Sequence, residues 1–553
     1  MYLRESRRRN KDGSTVSYLQ LAHNERHPDT GSPVAKVIHN FGRADTVDRE
    51  ALRRLVSSIS RFLEPAEAVA ALAGSEVEVI DARRFGAAFV LDRLWERLGI
   101  SKALVDAAEG RRLDAQVVER IVFALVANRA LEPTSKLAAT KWAAERVYVP
   151  GCPAFSDDAA YAAMDFLLDA IAEIARGIFE RTANLLNLCC DVIFVDTTST
   201  YFEVEVADQE AEVATAEAEA QVATDSAGGP EERATRRFNK HSKDKRPDLP
   251  QVVIGMAVTA EGVPVRCWTF PGNTSDQVII RTIRDDLAGW TLNRVVWVAD
   301  SGFNSAANRS YLQRGGGSWI VAEKLRRTNK EAASALARQG RYKTVAGNLR
   351  VKEVRVGTGA RQQRFVVCHN PEAAERDQLA GELRATPGVH RLLRRTRGAK
   401  LRVDKAAVND EARYDGKWLI RTADASLTSE DLARAYKQLL QVERGWRDMK
   451  GALKLRPVFH WREDRIRSHV QLCWLALLLM RVVENATDDT WRNVRHELDR
   501  MHLVTLDSRD GRIAQRSTTT PRQRELLSAL ELAEPPLIVD HEPPGAPASA
   551  ARP

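Results

Sequence analysis

Two short apolar runs that each end on an aspartate constrain this chain most: VIFV at 192–195 followed by Asp196, and VVWVA at 295–299 followed by Asp300. Runs of this length, rich in β-branched and aromatic residues, are too short for helices and fit buried strands. Each such strand delivers a carboxylate at its end. An aspartate there can equally cap a helix or form a turn, so neither is informative alone. QVVIGMAVTA and VPVRCWTF, joined by the turn EG, extend the first strand into an antiparallel meander, and GSWIVAEK supplies a further strand. The fold class expected is α/β with a mixed sheet.

A third carboxylate stands in YKQLLQVERGWRDMK, which reads as one helix over 436–450. Tyr436, Glu443 and Lys450 are spaced by seven and seven, and at about 3.6 residues per turn that spacing returns to one face. Arg447 lies one turn beyond Glu443. Ser429 is the expected cap, with Glu430 and Asp431 favourable at the positive helix end. Without partners elsewhere, such a face is an ordinary solvated one.

A chain of 553 residues is too long for one core, and the pattern divides it. Residues 1–45 suggest a small β unit. Residues 46–188 repeat apolar positions at three and four and form a helical domain, with Pro133 after a helix end and Ser135 capping the next. The span 189–324 holds the two aspartates, 325–425 is a β-rich basic insertion, 426–487 carries the glutamate helix, and 488–553 combines a helical segment with a disordered Pro- and Ala-rich tail. Residues 203–232 hold ten acidic residues and no Lys or Arg, the signature of a solvated insertion.

The 83 Lys and Arg exceed the 75 Asp and Glu, for a net charge of +8. With an isoelectric point near 9.2, that excess favours a polyanionic partner. Two blocks concentrate the charge: 233–246, with seven basic residues including Lys240, Lys243 and Arg246, and 384–402, with seven including Arg394 and Arg395. Both are candidates for gripping DNA phosphates. Trp268, Trp319 and Trp446 could stack on an extruded base, but each falls in an expected strand or helix, where packing is the stronger reading. Six cysteines without metal-ligand spacing fit a reducing cytoplasm. Leu472–Met480 is too short to cross a hydrocarbon layer of about 30 Å, so no membrane partner is expected.

Two carboxylates on separate strands and one on a later helix are what a pair of Mg²⁺ ions requires, since hard cations take oxygen ligands. Two such ions about 4 Å apart activate an attacking water or 3′-hydroxyl and stabilise the leaving oxygen of an in-line displacement at phosphorus. Asp196, Asp300 and Glu443 would be both the catalytic residues and the metal ligands.

In the order VDTTSTYFE, VADSGF, then Tyr436, Glu443 and Lys450 at spacings of seven, the chain resembles the DDE transposases of bacterial insertion sequences, in the group with a Tyr-Arg-Glu-Lys signature. NRALEPTSKLAATKW, SKDKRPDLPQ, PGNTSD and GWRDMKGALKLRPVFHWRED carry the resemblance over roughly residues 80–485. It implies an RNase H-like core with the first Asp on the first strand, the second on the fourth, and the Glu on a helix after a β-rich insertion, preceded by an all-α domain. It implies Mg²⁺, with Mn²⁺ able to substitute, and double-stranded DNA, both element ends and target, as substrate. It also implies a homodimer on that DNA, and places Tyr436 and Lys450 on the backbone beside the scissile phosphate. One position departs: the signature expects arginine where Leu439 stands, so Arg434, Arg444 or Arg447 would have to replace it. The rival readings are a non-catalytic DNA-binding protein derived from such an element, and a phosphohydrolase with Asp196 as nucleophile. The latter lacks a second aspartate two residues on.

Overall fold

The computed structural model describes residues 1–10, 15–27, 32–60, 78–186, 192–203, 236–239, 242–290, 295–325, 329–359, 362–382, 393–395, 401–403, 413–456, 458, 460, 462–508 and 511–542. They fall into two compact units. The smaller contains residues 1–80 with short C-terminal pieces. Its three strands, Tyr2–Arg9, Thr15–Arg26 and Pro33–Arg43, form an antiparallel meander, followed by a helix over Arg49–Ser60. The first strand, YLRESRRR, is one that its charge conceals.

The larger unit is built on a nine-stranded sheet. In chain order its strands are β1 (Val192–Tyr201), β2 (Gln251–Val258), β3 (Pro264–Pro271), β4 (Val296–Ala299), β5 (Ser318–Glu323), β6 (Lys343–Ala346), β7 (Leu349–Val356), β8 (Gln363–His369) and β9 (Lys417–Thr422). Their order across the sheet is β6-β7-β8-β9-β5-β4-β1-β2-β3. The segment 3-2-1-4-5, antiparallel through β1, β2 and β3 and parallel through β1, β4 and β5, is the RNase H-like core. β9 pairs antiparallel with β5, so β6 to β9 continue the core sheet, while Leu393–Arg395 and Leu401–Val403 form a separate two-stranded ribbon.

The helices of 86–185 include α1 (Ala115–Leu131) and α2 (Asp157–Asp169). Ser135 caps its helix as expected, accepting from Ala138 N–H at 3.1 Å. Three further helices matter for the site: α3 (Asp276–Leu287), α4 (Ser429–Lys437) and α5 (Leu440–Lys450). The last of the set, α6 (Glu463–Thr487), packs on α1, α2, β3 and α5. It is apolar on nearly every side because it is enclosed on nearly every side, Val470 and Leu472–Val483 all being buried. Among the described residues it alone is long and apolar enough to cross a membrane, and 94% of its apolar window is buried within the protein. Polar groups on α6 find partners inside, among them Gln471 donating to the Cys267 carbonyl and Trp474 Nε1 to the Pro264 carbonyl, each at 3.3 Å. Trp268, Trp319 and Trp446 lie in the core.

Several expectations need correction. The stretch 436–450 is two helices. At the junction Leu439 N–H bonds to Tyr436 O, and Gln441 N–H to Gln438 O, both three residues back, so one turn tightens and divides the segment. The cap of α4 is Thr428, accepting from Asp431 N–H at 3.1 Å, while Ser429 opens the helix. The first aspartate strand runs on to Tyr201. Beyond 488 the chain holds strands as well as helices, including Ile538–Glu542 within the expected disordered tail; 543–553 lie outside the described residues, as does most of the acidic insertion.

Candidate active site

β1 and β4 run side by side in parallel with Val195 opposite Ala299. Asp196 and Asp300 are the next residue on each, so their carboxylates leave adjacent strands at the same level. The ladder between β1 and β4 ends there, while β1 continues against β2, with Asp196 opposite Met256. Asp196 is half-buried and Asp300 exposed. Burial pushes the Asp196 carboxyl up to about 6; the Lys243 ammonium and the Thr197 N–H act against this, while the charges of Asp300 and Asp276 add to it.

The tight turn at Leu439 sends the two halves of the glutamate segment to different places. Tyr436, on α4, donates its hydroxyl to Asp300 Oδ1 at 3.4 Å. Burial, then the charge and hydrogen bond of Asp300, and then Glu443 and Asp196, push the phenol above its ordinary value. These four groups therefore share one electrostatic neighbourhood. Glu443, on α5, is exposed beside it. α5 packs on β1 and β2, and Gly445 permits that approach, since a Cβ there would meet Met256 Cε at 2.7 Å. Two ion pairs hold α5 to α6: Arg481 with Asp448, and Arg444 with Glu484 at 3.0 Å.

Around the carboxylates stand two acids that the sequence reading left out. Asp276, at the start of α3, accepts from Thr197 Oγ1 at 2.6 Å and from Lys243 at 3.3 Å. Asp244 is buried, and its Oδ1 accepts from both Lys450 Nζ and Arg456, each at 2.7 Å. A solitary acid within a strongly basic block was the available signal for Asp244. Asp276, in the turn PGNTSD, stands in the first turn of α3, where an acid is ordinary and gives no signal of its own.

The expected DNA contacts separate accordingly. Lys243 turns inward, its ammonium bonding the Thr197 carbonyl at 2.9 Å. Lys450 is tied to Asp244, and burial lowers its affinity for a proton. Arg246 is held by Asp248 at 2.9 Å and covers the Tyr201 ring. Arg447 is exposed and has no ion pair among the described residues. Arg394 and Arg395 belong to a short ribbon in which Leu393–Arg395 pairs with Leu401–Val403. Lys240 lies outside the described residues. Leu439, where an arginine was expected, is 7% exposed and packed in the core.

A group of hard oxygen donors, one of them kept from ionising easily by its burial, suits a divalent cation. Among the described residues no three such groups stand converged on one point, so ligation would require the side chains to draw together.

Two models of known families match the chain. Residues 3–69 match the N-terminal domain of the IS1634 family of transposases, and residues 222–480 match the transposase DDE domain. A solved piggyBac transposase, in a synaptic complex with hairpin DNA, aligns over 75% of this chain and 80% of its own at 10% identity; its TM-score of 0.34 is too low to define the fold. No curated protein matches the chain. With the two domain matches in chain order, the chain belongs to the DDE transposases of insertion sequences.

Proposed function

We propose that this transposase binds the terminal inverted repeats of its own element, cuts at the ends and joins the freed 3′-hydroxyls to target DNA, acting in the cytoplasm as a homodimer that holds two ends together. The observation that carries the reading is the level register of Asp196 and Asp300 on adjacent parallel strands, with Tyr436 hydrogen-bonded to the second.

Asp196, Asp300 and Glu443 would hold two divalent ions, Mg²⁺ or Mn²⁺. Bound there, the ions supply activation of the attacking hydroxyl and charge stabilisation at the leaving oxygen. The remaining work falls to the chain. Lys243 offsets part of the negative charge around Asp196, which keeps that carboxylate ionisable near neutral pH. Tyr436 orients Asp300 and presents a phenol to the backbone beside the scissile phosphate. Asp244 fixes Lys450 and Arg456 as a cationic pair at the far end of α5, where a phosphate can share their donors. With Leu439 in the core, Arg444 committed to Glu484 and Arg434 beside Asp431 at 3.8 Å, Arg447 is the first candidate to take the place of the expected arginine.

The test is cleavage of a duplex carrying the element's end, with and without Mg²⁺. Asp196→Asn and Glu443→Gln should abolish cutting while leaving binding measurable. Undiminished cleavage in either variant would sink the assignment, and binding without metal-dependent cutting in the unaltered protein would favour the non-catalytic alternative.

A further inference from the structure

A second charged region lies outside the carboxylate cluster. Arg129 near the end of α1 and Lys136 in the following short helix line a cavity of about 380 Å³, together with Tyr161, Lys454, His460 and His469. Arg129 is 5% exposed and Lys136 4%. Among the described residues Arg129 has no hydrogen-bond or ion-pair partner. Lys136 has a single contact, its Nζ lying 3.3 Å from His469 Nδ1. An ammonium only donates, so that nitrogen accepts and the ring is neutral.

Among the described residues the surroundings offer no counter-charge. Burial and the neighbouring cations push His460 down to about 4 and hold His469 well below its ordinary value. Burial, and then Arg129, bring Lys136 down to about 7. The Cys473 thiol, 3.9 Å from His469 Nε2, is raised by its own burial and stays neutral. Arg465 stacks on the Tyr161 ring, and its carboxylate, Asp165 at 3.5 Å, is already paired with it. The carbonyl end of α1 carries about half a unit of negative charge, which cannot balance two buried cations. Uncompensated buried charge of this kind is costly unless something else meets it. The volume falls within the range of small-ligand sites, roughly 300–1,000 Å³.

We propose that this cavity is a phosphate-binding site, and that the phosphate it takes is one on the backbone of the DNA the enzyme acts on. The choice of DNA as the source rests on the function proposed above. It is supported by connectivity: Lys454 is two residues from Arg456, which with Lys450 is held at Asp244 beside β1, so one short segment borders both the candidate active site and the cavity. A guanidinium and an ammonium give the planar and the point-charge donors that a phosphate accepts.

The experiment measures binding of an end-bearing duplex over a salt series in the presence of a chelator, together with thermal shift in inorganic phosphate. The proteins are the unaltered chain, Arg129→Leu, Lys136→Met and Lys136→Arg. Expected are about tenfold weaker DNA binding for the two neutral variants, a salt slope shallower by about one, and recovery in Lys136→Arg. Inorganic phosphate should raise the melting temperature of the unaltered protein and not of the neutral variants. Phosphate stabilisation with unchanged DNA binding would overturn DNA as the source and leave a free-anion site. Absence of both effects would overturn the site. If the neutral variants fail to fold, the phosphate response of the unaltered protein and the DNA binding of Lys136→Arg decide it, and no response in either overturns it. Failure of the unaltered protein to bind DNA would instead strike the proposed function, and the phosphate measurement would still judge the cavity.

Discussion

The carboxylate cluster and the basic cavity are opposite answers to the same electrostatic problem. At the cluster, Asp196, Asp300, Glu443 and Asp276 gather negative charge with one ammonium, Lys243, set among them, and two of the acids remain exposed. In the cavity, Arg129 and Lys136 are nine-tenths buried, with no acid facing them among the described residues. In the first region the burial of Asp196 is the main cost, repulsion from Asp300 and Asp276 adds to it, and Lys243 offsets part of both. Desolvation dominates the second. The difference teaches which measurement reads each: activity for the acids, stability and affinity for the cations.

The largest expected effect lies on the acidic side. Removing one carboxylate by Asp196→Asn should lower end cleavage about a thousandfold or more, the loss of several kcal/mol of transition-state stabilisation, with DNA affinity altered little. Single-turnover cleavage on a pre-bound duplex checks it. A fall of less than tenfold would count against Asp196 as a catalytic ligand.

Next comes the group that joins the acids to their cations. Asp244→Ala strands Lys450 and Arg456, and because Asp244 and Lys450 are largely buried, stability should fall by about 3 kcal/mol. Urea unfolding reads the loss. Asp244→Asn retains an acceptor and should cost less; equal losses would show that charge, not hydrogen bonding, holds the pair.

How far each region could be read from the chain follows from how local its signal is. Asp196 and Asp300 end apolar runs, and the alternation of strands around them is visible within ten residues. The RNase H-like order follows from those runs with the family resemblance. The helix break at 438–439 is not visible, because Leu439, Val442, Trp446 and Met449 keep a helical spacing of three and four straight through the turn. Tyr2–Arg9 and Ile538–Glu542 are strands that composition disguises, one as a charged leader and one as a proline-flanked tail. The cavity is the least legible, since Arg129 and Lys136 meet His460 and His469 across more than 300 residues, and only tertiary packing brings them together.

A smaller effect should appear on the basic side, with reversed sign. Lys136 holds its proton less tightly folded than unfolded, at about 7 against an ordinary 10.5. The unfolded chain therefore binds more protons between those values, and stability contributed at this site rises as pH climbs from 7 to about 10. Below pH 7 the full penalty of the buried ammonium is present. Lys136→Met removes it, so the variant should melt higher than the unaltered protein at pH 7 by a few degrees, and the gain should shrink toward pH 10. Arg129, His460, His469 and Cys473 face the same space; only Lys136 has its titration placed in this window by the fold. A lower melting temperature in the variant would show that Lys136 has a structural partner after all.

The smallest effect should come from Arg447, and it bears on the one departure from the family signature. Leu439 is packed in the core at the junction of α4 and α5, so the cation expected there cannot be recovered by a local shift. Arg444 pairs with Glu484, and Arg434 lies 3.8 Å from Asp431. Arg447, exposed one turn beyond Glu443, is free to meet a phosphate. As a single exposed contact it should matter modestly: Arg447→Gln should weaken binding about threefold and reduce the salt slope by about one, with melting temperature unchanged. If Arg434→Gln gives that signature instead, α4 and not α5 supplies the missing arginine. The tight turn at Leu439 would then be the device that brings it within reach of the scissile phosphate.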